Sequence, residues 1–482
     1  MEYKSIEREV LAAFSFLCQT PHPPKAETVL ADRLAERLCA KGFRPWQDAR
    51  GNLVCDLPAS TGLEQRPLTA IQAHLDMVCA VGSSSYVPER DPIHPIERDG
   101  FLCTAGESSL GADCGAGVAV MLWLADHPEI QHPPLRLLFT VEEEIGLCGA
   151  RDLDPTCLQG VCYLVNTDGF HWGRIVTGAA GGVRERYTRP LTSEDAPQLP
   201  NGRAYRLSWS GLRAGHSGFD IGARRANAVL LMGELLREIR MESPFALADF
   251  AGGAAFNAIP YQSTAQILTI APAKDAIEAI GARIIDRCRQ TDPDIRLDIE
   301  EIDLPERVWN GDVSSGLLTV LGGFADGVYA MHQTDKQAVS DSSNLGHVYV
   351  ADGQVCLDAM IRCMDRQAEH ALITSHRAVC GMCGFARQVV SQYPAWCDQS
   401  DTDLTRWAAD CYREVTGQPS GITVQHVGLE PSRLLEKNPD MSCICVGMEL
   451  YDCHSPQERW KLDTIAPFVD MLTRLLARIA NH

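Results

Sequence analysis

Short apolar runs that end in polar clusters alternate with helix-like segments through the first 180 residues. This alternation constrains the fold more than any other feature of the chain. Residues 68–72 form a short apolar run, and 135–141 (LRLLFTV) and 161–165 (VCYLV) have the pattern of buried strands. Residues 115–125, rich in Ala, Val and Leu after glycines, read as a buried helix. Strands separated by helices imply an α/β unit with a mixed, largely parallel sheet flanked by helices. In such sheets functional groups gather at the carboxyl ends of strands, and here the polar clusters follow the apolar runs directly.

The pattern changes after the small-residue stretch 178–182 (GAAGG). Residues 205–210 alternate as a half-buried strand, 227–239 have helical apolar spacing, 264–270 read as a strand, 274–289 as a helix and 295–302 as an alternating strand. That order predicts a smaller α+β unit inserted into the first. Helical spacing at 403–415, strand-like runs at 421–427 and 441–446, and a helix over 463–479 would complete the first unit. The expected division is 1–183 with 386–482, interrupted by 184–385.

Composition narrows the function classes. Hydrophobic residues make up 45% and charged residues 22% of the 482, an ordinary globular balance. With 43 Lys+Arg against 63 Asp+Glu the net charge is −20, which disfavours nucleic acid and anionic membrane surfaces as partners. Nineteen cysteines, an odd number scattered through the chain, suit reduced thiols better than a disulfide framework. One C-x-x-C occurs, at Cys380 and Cys383, with no matching second pair nearby, so ordinary packing accounts for it. Ile6, Val10, Leu11, Phe14 and Leu17 are helically spaced and do not form a signal-peptide block. The longest apolar run, near 117–125, is far short of the roughly 20 residues of a membrane span. A cytoplasmic protein is expected.

Five clusters hold groups capable of chemistry. His74-Leu75-Asp76 follows the first apolar run, and its His and Asp share one face if the segment is extended. Asp113 lies among small residues in 111–117 (GADCGAG). Glu142-Glu143-Glu144 ends LRLLFTV, Asn166-Thr167-Asp168 ends VCYLV, and His454-Ser455-Pro456 lies near the C-terminus. Each has a plain structural account when taken alone: a surface histidine, a turn aspartate, a solvated acidic face, a helix cap. Convergence at strand ends would join two histidines and several carboxylates, a donor set suited to zinc.

The motifs QAHLDMV (72–78), SLGADCGAG (109–117), EEIGLCGA (143–150), NTDG (166–169), GLRAGHSG (211–218), FNAIP (256–260), GLE (428–430) and HSPQE (454–458) span nearly the whole chain. In kind and order they resemble metallopeptidase family M20, most closely its aminoacyl-histidine dipeptidase (Xaa-His, carnosinase-like) branch. The resemblance implies a zinc-peptidase catalytic domain with an inserted lid and dimerisation domain. It implies two divalent ions, zinc foremost, with Mn or Co as alternatives. His74, Asp113 and Asp168 would hold one ion, and Asp113, Glu144 and His454 the other, with Asp113 bridging. It also implies Glu143 as general base, Asp76 as the group orienting His74, and a strained, often cis, peptide after Asp113. His216 would be an oxyanion stabiliser, Asn257 and Arg362 substrate-carboxylate contacts, and Glu430 a contact for the substrate's amino end. The acidic triplet leaves a second register open, Glu142/Glu143 in place of Glu143/Glu144, although the match over 145–150 favours the latter. Base and ligand, being adjacent, require a turn or a helix start there.

Two segments depart from the branch: Pro431-Ser432-Arg433 after GLE, and 448–453 before His454. The expected activity is hydrolysis of small dipeptides, Xaa-His such as β-alanyl-histidine foremost, by a metal-bridging hydroxide in a homodimer. The alternatives are an N-acyl-amino-acid amidohydrolase of the same family and a non-enzymatic dimeric interaction protein.

Overall fold

A computed structural model describes all residues except 1, 84 and 334. The chain divides into two units, Met1–Ala179 with Trp396–His482, and Ala180–Ala395. The junctions therefore lie outside the expected 183/184 and 385/386. The reason is strand Ala386–Tyr393, which pairs antiparallel with Gly181–Pro190 and so stays with the second unit's sheet.

The first unit is built on an eight-stranded mixed sheet in the order Trp46–Gln47, Leu53–Leu57, Leu135–Thr140, Leu68–His74, Val161–Gly169, Ser442–Gly447, Arg174–Ala179, Gly421–Gln425. Leu68–His74 runs parallel to both of its neighbours, and Ser442–Gly447 runs parallel to Val161–Gly169. These central strands are buried on both faces; Ile71, Leu137 and Val165 on one face and Ala70, Leu138 and Leu164 on the other are all buried.

Helix Ala112–Asp126 is buried along its whole first fourteen residues. Its glycines let it approach its neighbours: a Cβ on Gly117 would lie 2.2 Å from Thr167 Oγ1. That contact seats the start of the helix against the strand carrying Asp168. Helix Tyr3–Cys18 covers it with Ile6, Val10, Phe14 and Leu17, an i, i+4 stripe, and Phe14 meets Trp460 edge-on at 5.3 Å.

The second unit is an antiparallel sheet in the order Arg296–Ile302, Arg203–Ser210, Ser263–Thr269, Phe245–Gly253, Val339–Ala351, Gln354–Cys363, Gly181–Pro190, Ala386–Tyr393, with Gly327–Met331 paired to Val339–Ala351. Helices Ala228–Glu242, Lys274–Cys288, Gly311–Gly323 and Arg366–Met382 belong to it. The long hairpin of Val339–Ala351 and Gln354–Cys363 turns at Asp352 and Gly353, whose φ values of 50° and 69° fit a two-residue turn with both φ positive.

Candidate active site

Four acidic and two histidine side chains meet at the carboxyl ends of the central strands. His74 is the last residue of its strand, Asp168 lies near the end of Val161–Gly169, and Glu143 and Glu144 follow Leu135–Thr140. Asp113 opens its helix, and His454 follows strand Leu450–Tyr451 in a loop at φ 63°. Asp113 is the centre. Its Oδ1 lies 3.2 Å from His74 Nε2 and its Oδ2 lies 2.9 Å from His454 Nε2. On one side His74 Nε2 is 3.7 Å from Asp168 Oδ1, and on the other His454 Nε2 is 3.0 Å from Glu144 Oε1. One carboxylate thus faces two separate His–carboxylate pairs. The Asp113–Cys114 peptide is cis.

The turn expected at the acidic triplet is present. Glu142 takes a left-handed φ of 52°, and the carbonyl of Glu143 accepts from the N–H groups of Gly146 and Leu147. Carboxylates satisfy the opened backbone: Glu27 accepts from Glu142 N–H at 2.8 Å, and Asp76 accepts from Glu143 and Glu144 N–H at 2.9 and 3.1 Å. This corrects the role expected for Asp76. Its carboxylate is 3.7 Å from His74 Nδ1, and the atom that accepts from Nδ1 is its main-chain carbonyl at 2.8 Å. The side chain fixes the acidic turn while the backbone fixes the imidazole, because the chain bends after His74.

Glu430, expected at the substrate's amino end, is instead fully buried. Its Oε2 accepts from Thr140 Oγ1 at 2.7 Å and from Gln72 Nε2, and Asn166 Nδ2 donates to Gln72 Oε1 at 2.6 Å. Glu430 therefore ties together the three strands beneath the cluster. Burial pushes its carboxyl up to about 7, against the pull of His74.

Glu458 was not singled out from the sequence beyond its place in HSPQE. It is 2% exposed; its Oε2 accepts from Leu110 and Gly111 N–H at 2.8 and 2.9 Å and its Oε1 from Asp113 N–H at 3.2 Å. It thereby pins the backbone that carries Asp113. The only sequence signal was an acid four residues after His454.

The charge balance calls for cations. Burial raises Asp113, but His454 and His74 against it more than reverse this, leaving its carboxyl well below the usual range. Burial and then Asp113 push Asp168 up to about 8. Burial and then its neighbour Glu144 raise Glu143 well above the ordinary range, and burial and then Asp113 raise Glu144. His454 is driven up to about 11: burial lowers it, and Asp113 and Glu144 outweigh that. Buried Asp168 Oδ1 and Glu144 Oε1 face only the imidazole nitrogens of His74 and His454, at 3.7 and 3.0 Å, with no well-aligned hydrogen bond. Orphaned carboxylate oxygens crowded against imidazoles in a low dielectric are costly unless a cation meets them. The donor atoms of His74, Asp113 and Glu144 lie within 4.8 Å of one another, as do those of His74, Cys114 and Asp168.

In the second unit His216, Asn257 and Arg362 are also brought together. His216 lies in a two-residue strand paired with Ala258–Ile259, and Ser217 N–H donates to the Asn257 carbonyl at 2.7 Å. Buried Arg362 donates from Nη1 to Tyr393 Oη at 2.7 Å and from Nε to Ser217 Oγ at 3.5 Å. His216 Nδ1 accepts from Gly218 N–H at 3.1 Å, which leaves Nε2 to carry the ring proton.

The sheet with its catalytic groups at the strand ends, together with this donor set, defines a metal-dependent hydrolase of peptide bonds. A family model for peptidase family M20/M25/M40 matches residues 70–478, and the chain belongs to that family. It is 28% identical to the cytosol non-specific dipeptidase of Escherichia coli K12 over 97% of this chain and 96% of that one. The crystal structure of an aminoacylhistidine dipeptidase from Vibrio alginolyticus superposes with a TM-score of 0.86 at 28% identity, covering 98% of this chain and 96% of that one. The fold is also that of human carnosine dipeptidase 1, at a TM-score of 0.55 and 12% identity over 100% and 99% of the two chains. Among the described residues no helix is long and apolar enough to cross a membrane.

Proposed function

We propose that the chain is a dinuclear dipeptidase that cleaves small dipeptides, Xaa-His among them. The observation that carries this reading is Asp113, whose two carboxylate oxygens face His74 with Asp168 and His454 with Glu144. His74, Asp113 and Asp168 would hold one ion and Asp113, Glu144 and His454 the other, with nitrogen and oxygen donors that suit zinc, cobalt or manganese. Such ions supply a water of lowered pKa and a Lewis acid for the scissile carbonyl.

Glu143 accepts a proton from the attacking water and returns it to the departing amine. Its raised affinity for a proton, set by burial and Glu144, suits a group that must do both. Asp76 holds Glu143 at the mouth of the turn. His216, protonated on Nε2, is a hydrogen-bond donor for the oxyanion of the tetrahedral intermediate. Arg362, its fork oriented by Tyr393 and Ser217, receives the substrate's carboxylate with Asn257 beside it. The second unit in this reading acts as a lid and as the dimerisation surface; sedimentation of the purified protein tests the dimer. Unpaired cysteines throughout the chain suit a reducing cytoplasm.

The deciding experiment measures metal content and hydrolysis of free dipeptides and N-acetyl amino acids by wild type and Glu143→Ala. Two ions per chain, preference for free dipeptides, and a loss of about 10²–10⁴-fold in turnover with metal retained are expected. A wild-type protein that binds no divalent ion, with a variant of equal activity, refutes the reading.

A further inference from the structure

Buried cysteines ordinarily pack as small apolar side chains, and Cys443 and Cys445 in the strand beside Asp168 are equally buried but are not gathered with a histidine and a carboxylate. Cys114 differs. Its Sγ, a ring nitrogen of His74 and a carboxylate oxygen of Asp168 all lie within 4.8 Å of one another. The three residues are 1%, 1% and 6% exposed. Asp168 Oδ1 is buried there, 3.7 Å from His74 Nε2, with no hydrogen bond to satisfy it. Among the described residues Cys114 is the only cysteine gathered with a histidine and a carboxylate in this way.

We infer that Cys114 is a direct sulfur ligand of the cation held by His74 and Asp168, which makes that position a nitrogen–oxygen–sulfur site. The inference rests on the dinuclear reading above and deepens it. As the sulfur–metal bond forms, the thiol proton leaves to solvent, and nothing is oxidised or reduced. With Asp113 the position would then have four protein donors, and Asp113, Glu144 and His454 would give the other three. A soft thiolate also biases the first position toward zinc or cobalt and away from manganese.

The test uses the full-length protein, stripped by chelation and reloaded with two equivalents of Zn²⁺ or Co²⁺ per chain. X-ray absorption at the zinc edge is expected to show a sulfur shell at about 2.3 Å beside nitrogen and oxygen at about 2.0–2.1 Å. The Co²⁺ form is expected to show a sulfur-to-metal charge-transfer band in the near ultraviolet. Cys114→Ser should bind two ions yet lose both signatures. Its Zn²⁺ affinity at one position should fall about tenfold or more, a loss that even a group outside the ligand shell can produce, with a smaller change for Mn²⁺. If that variant does not fold, Cys79→Ser, Cys445→Ser and Cys453→Ser replace it, since these are the other thiols close enough to sense the cluster's carboxylates. Retention of the sulfur signature in all three assigns it to Cys114. Two bound ions with only nitrogen and oxygen scattering, or a sulfur signature that survives Cys114→Ser, overturns the inference while leaving the dipeptidase reading intact. Failure to bind any divalent ion overturns both.

Discussion

Replacing Asp76 by asparagine separates two roles that one residue could play. Its carboxylate is buried and accepts two main-chain bonds, Oδ1 from Glu143 N–H at 2.9 Å and Oδ2 from Glu144 N–H at 3.1 Å. An amide can accept with only one of these positions and must turn its NH₂ against the other N–H. One charge-assisted bond is lost, at about 1.5–3 kcal/mol, and a buried donor is left opposite a donor. The cost is about 2–4 kcal/mol, less than the simple sum because the turn can relax. Expressed fully in the placement of Glu143, this is about 30–1000-fold in kcat/KM. Metal affinity should divide unequally. His74 still donates from Nδ1 to the Asp76 carbonyl, an atom the substitution leaves in place, so the position it shares with Asp168 should keep its affinity. The position that depends on Glu144 should weaken. Steady-state dipeptide hydrolysis and calorimetric metal titration measure both. Activity within about threefold of wild type, or first loss of the His74–Asp168 position, would refute the assignment of the side chain to the acidic turn.

Three further outcomes are expected. Glu458→Gln keeps an acceptor for only part of the backbone run Leu110, Gly111 and Asp113, so unfolding free energy should fall by about 2–3 kcal/mol and metal affinity by about 10–100-fold; denaturant curves and titration of the same variant check this. Chelation should lower Tm and added Zn²⁺ restore it, by about 2.7 kcal/mol of stability when free metal is 100 times Kd; a Tm indifferent to chelator contradicts a bound-metal cluster. Burial raises Asp326 to about 6 even though it accepts from Leu345 N–H, so its contribution to stability is complete below the ordinary 3.8 and is lost as pH rises through 6. Asp326→Asn should therefore be more stable than wild type above pH 6, by at most about 3 kcal/mol and less for the part water reaches, and equal to it near pH 3, as thermal melts across that range would show.

Much of the site was legible before any fold was known, and for a physical reason. A strand buried on both faces needs an unbroken apolar run, and the end of that run is where polar groups become affordable. LRLLFTV and VCYLV therefore mark where Glu143, Glu144 and Asp168 lie. The need for a turn between adjacent Glu143 and Glu144 was likewise a matter of backbone alternation, and Glu142 supplies it. Strands Arg203–Ser210, Ser263–Thr269 and Arg296–Ile302 and helices Ala228–Glu242 and Lys274–Cys288 of the inserted unit were visible in their periodicities, whereas strand Phe245–Gly253 was not. The exit strand at Ala386–Tyr393 was not assigned to that unit, because its exposed residues carry no burial pattern and only its pairing partner, some two hundred residues earlier, says where it belongs.

The order and type of the chemical groups were thus set by local pattern, since burial and backbone direction act over a few residues. Which atom serves which partner was decided only in three dimensions. Glu458 lies 348 positions from Leu110, whose N–H it accepts, and 345 from Asp113. The main-chain carbonyl of Asp76 holds His74 while its carboxylate holds the acidic turn. Glu430 accepts from Gln72 and Thr140, some three hundred residues earlier in the chain. Hydrogen-bond partnership depends on distances of about 3 Å between segments remote in the chain, and only the packed structure sets those distances.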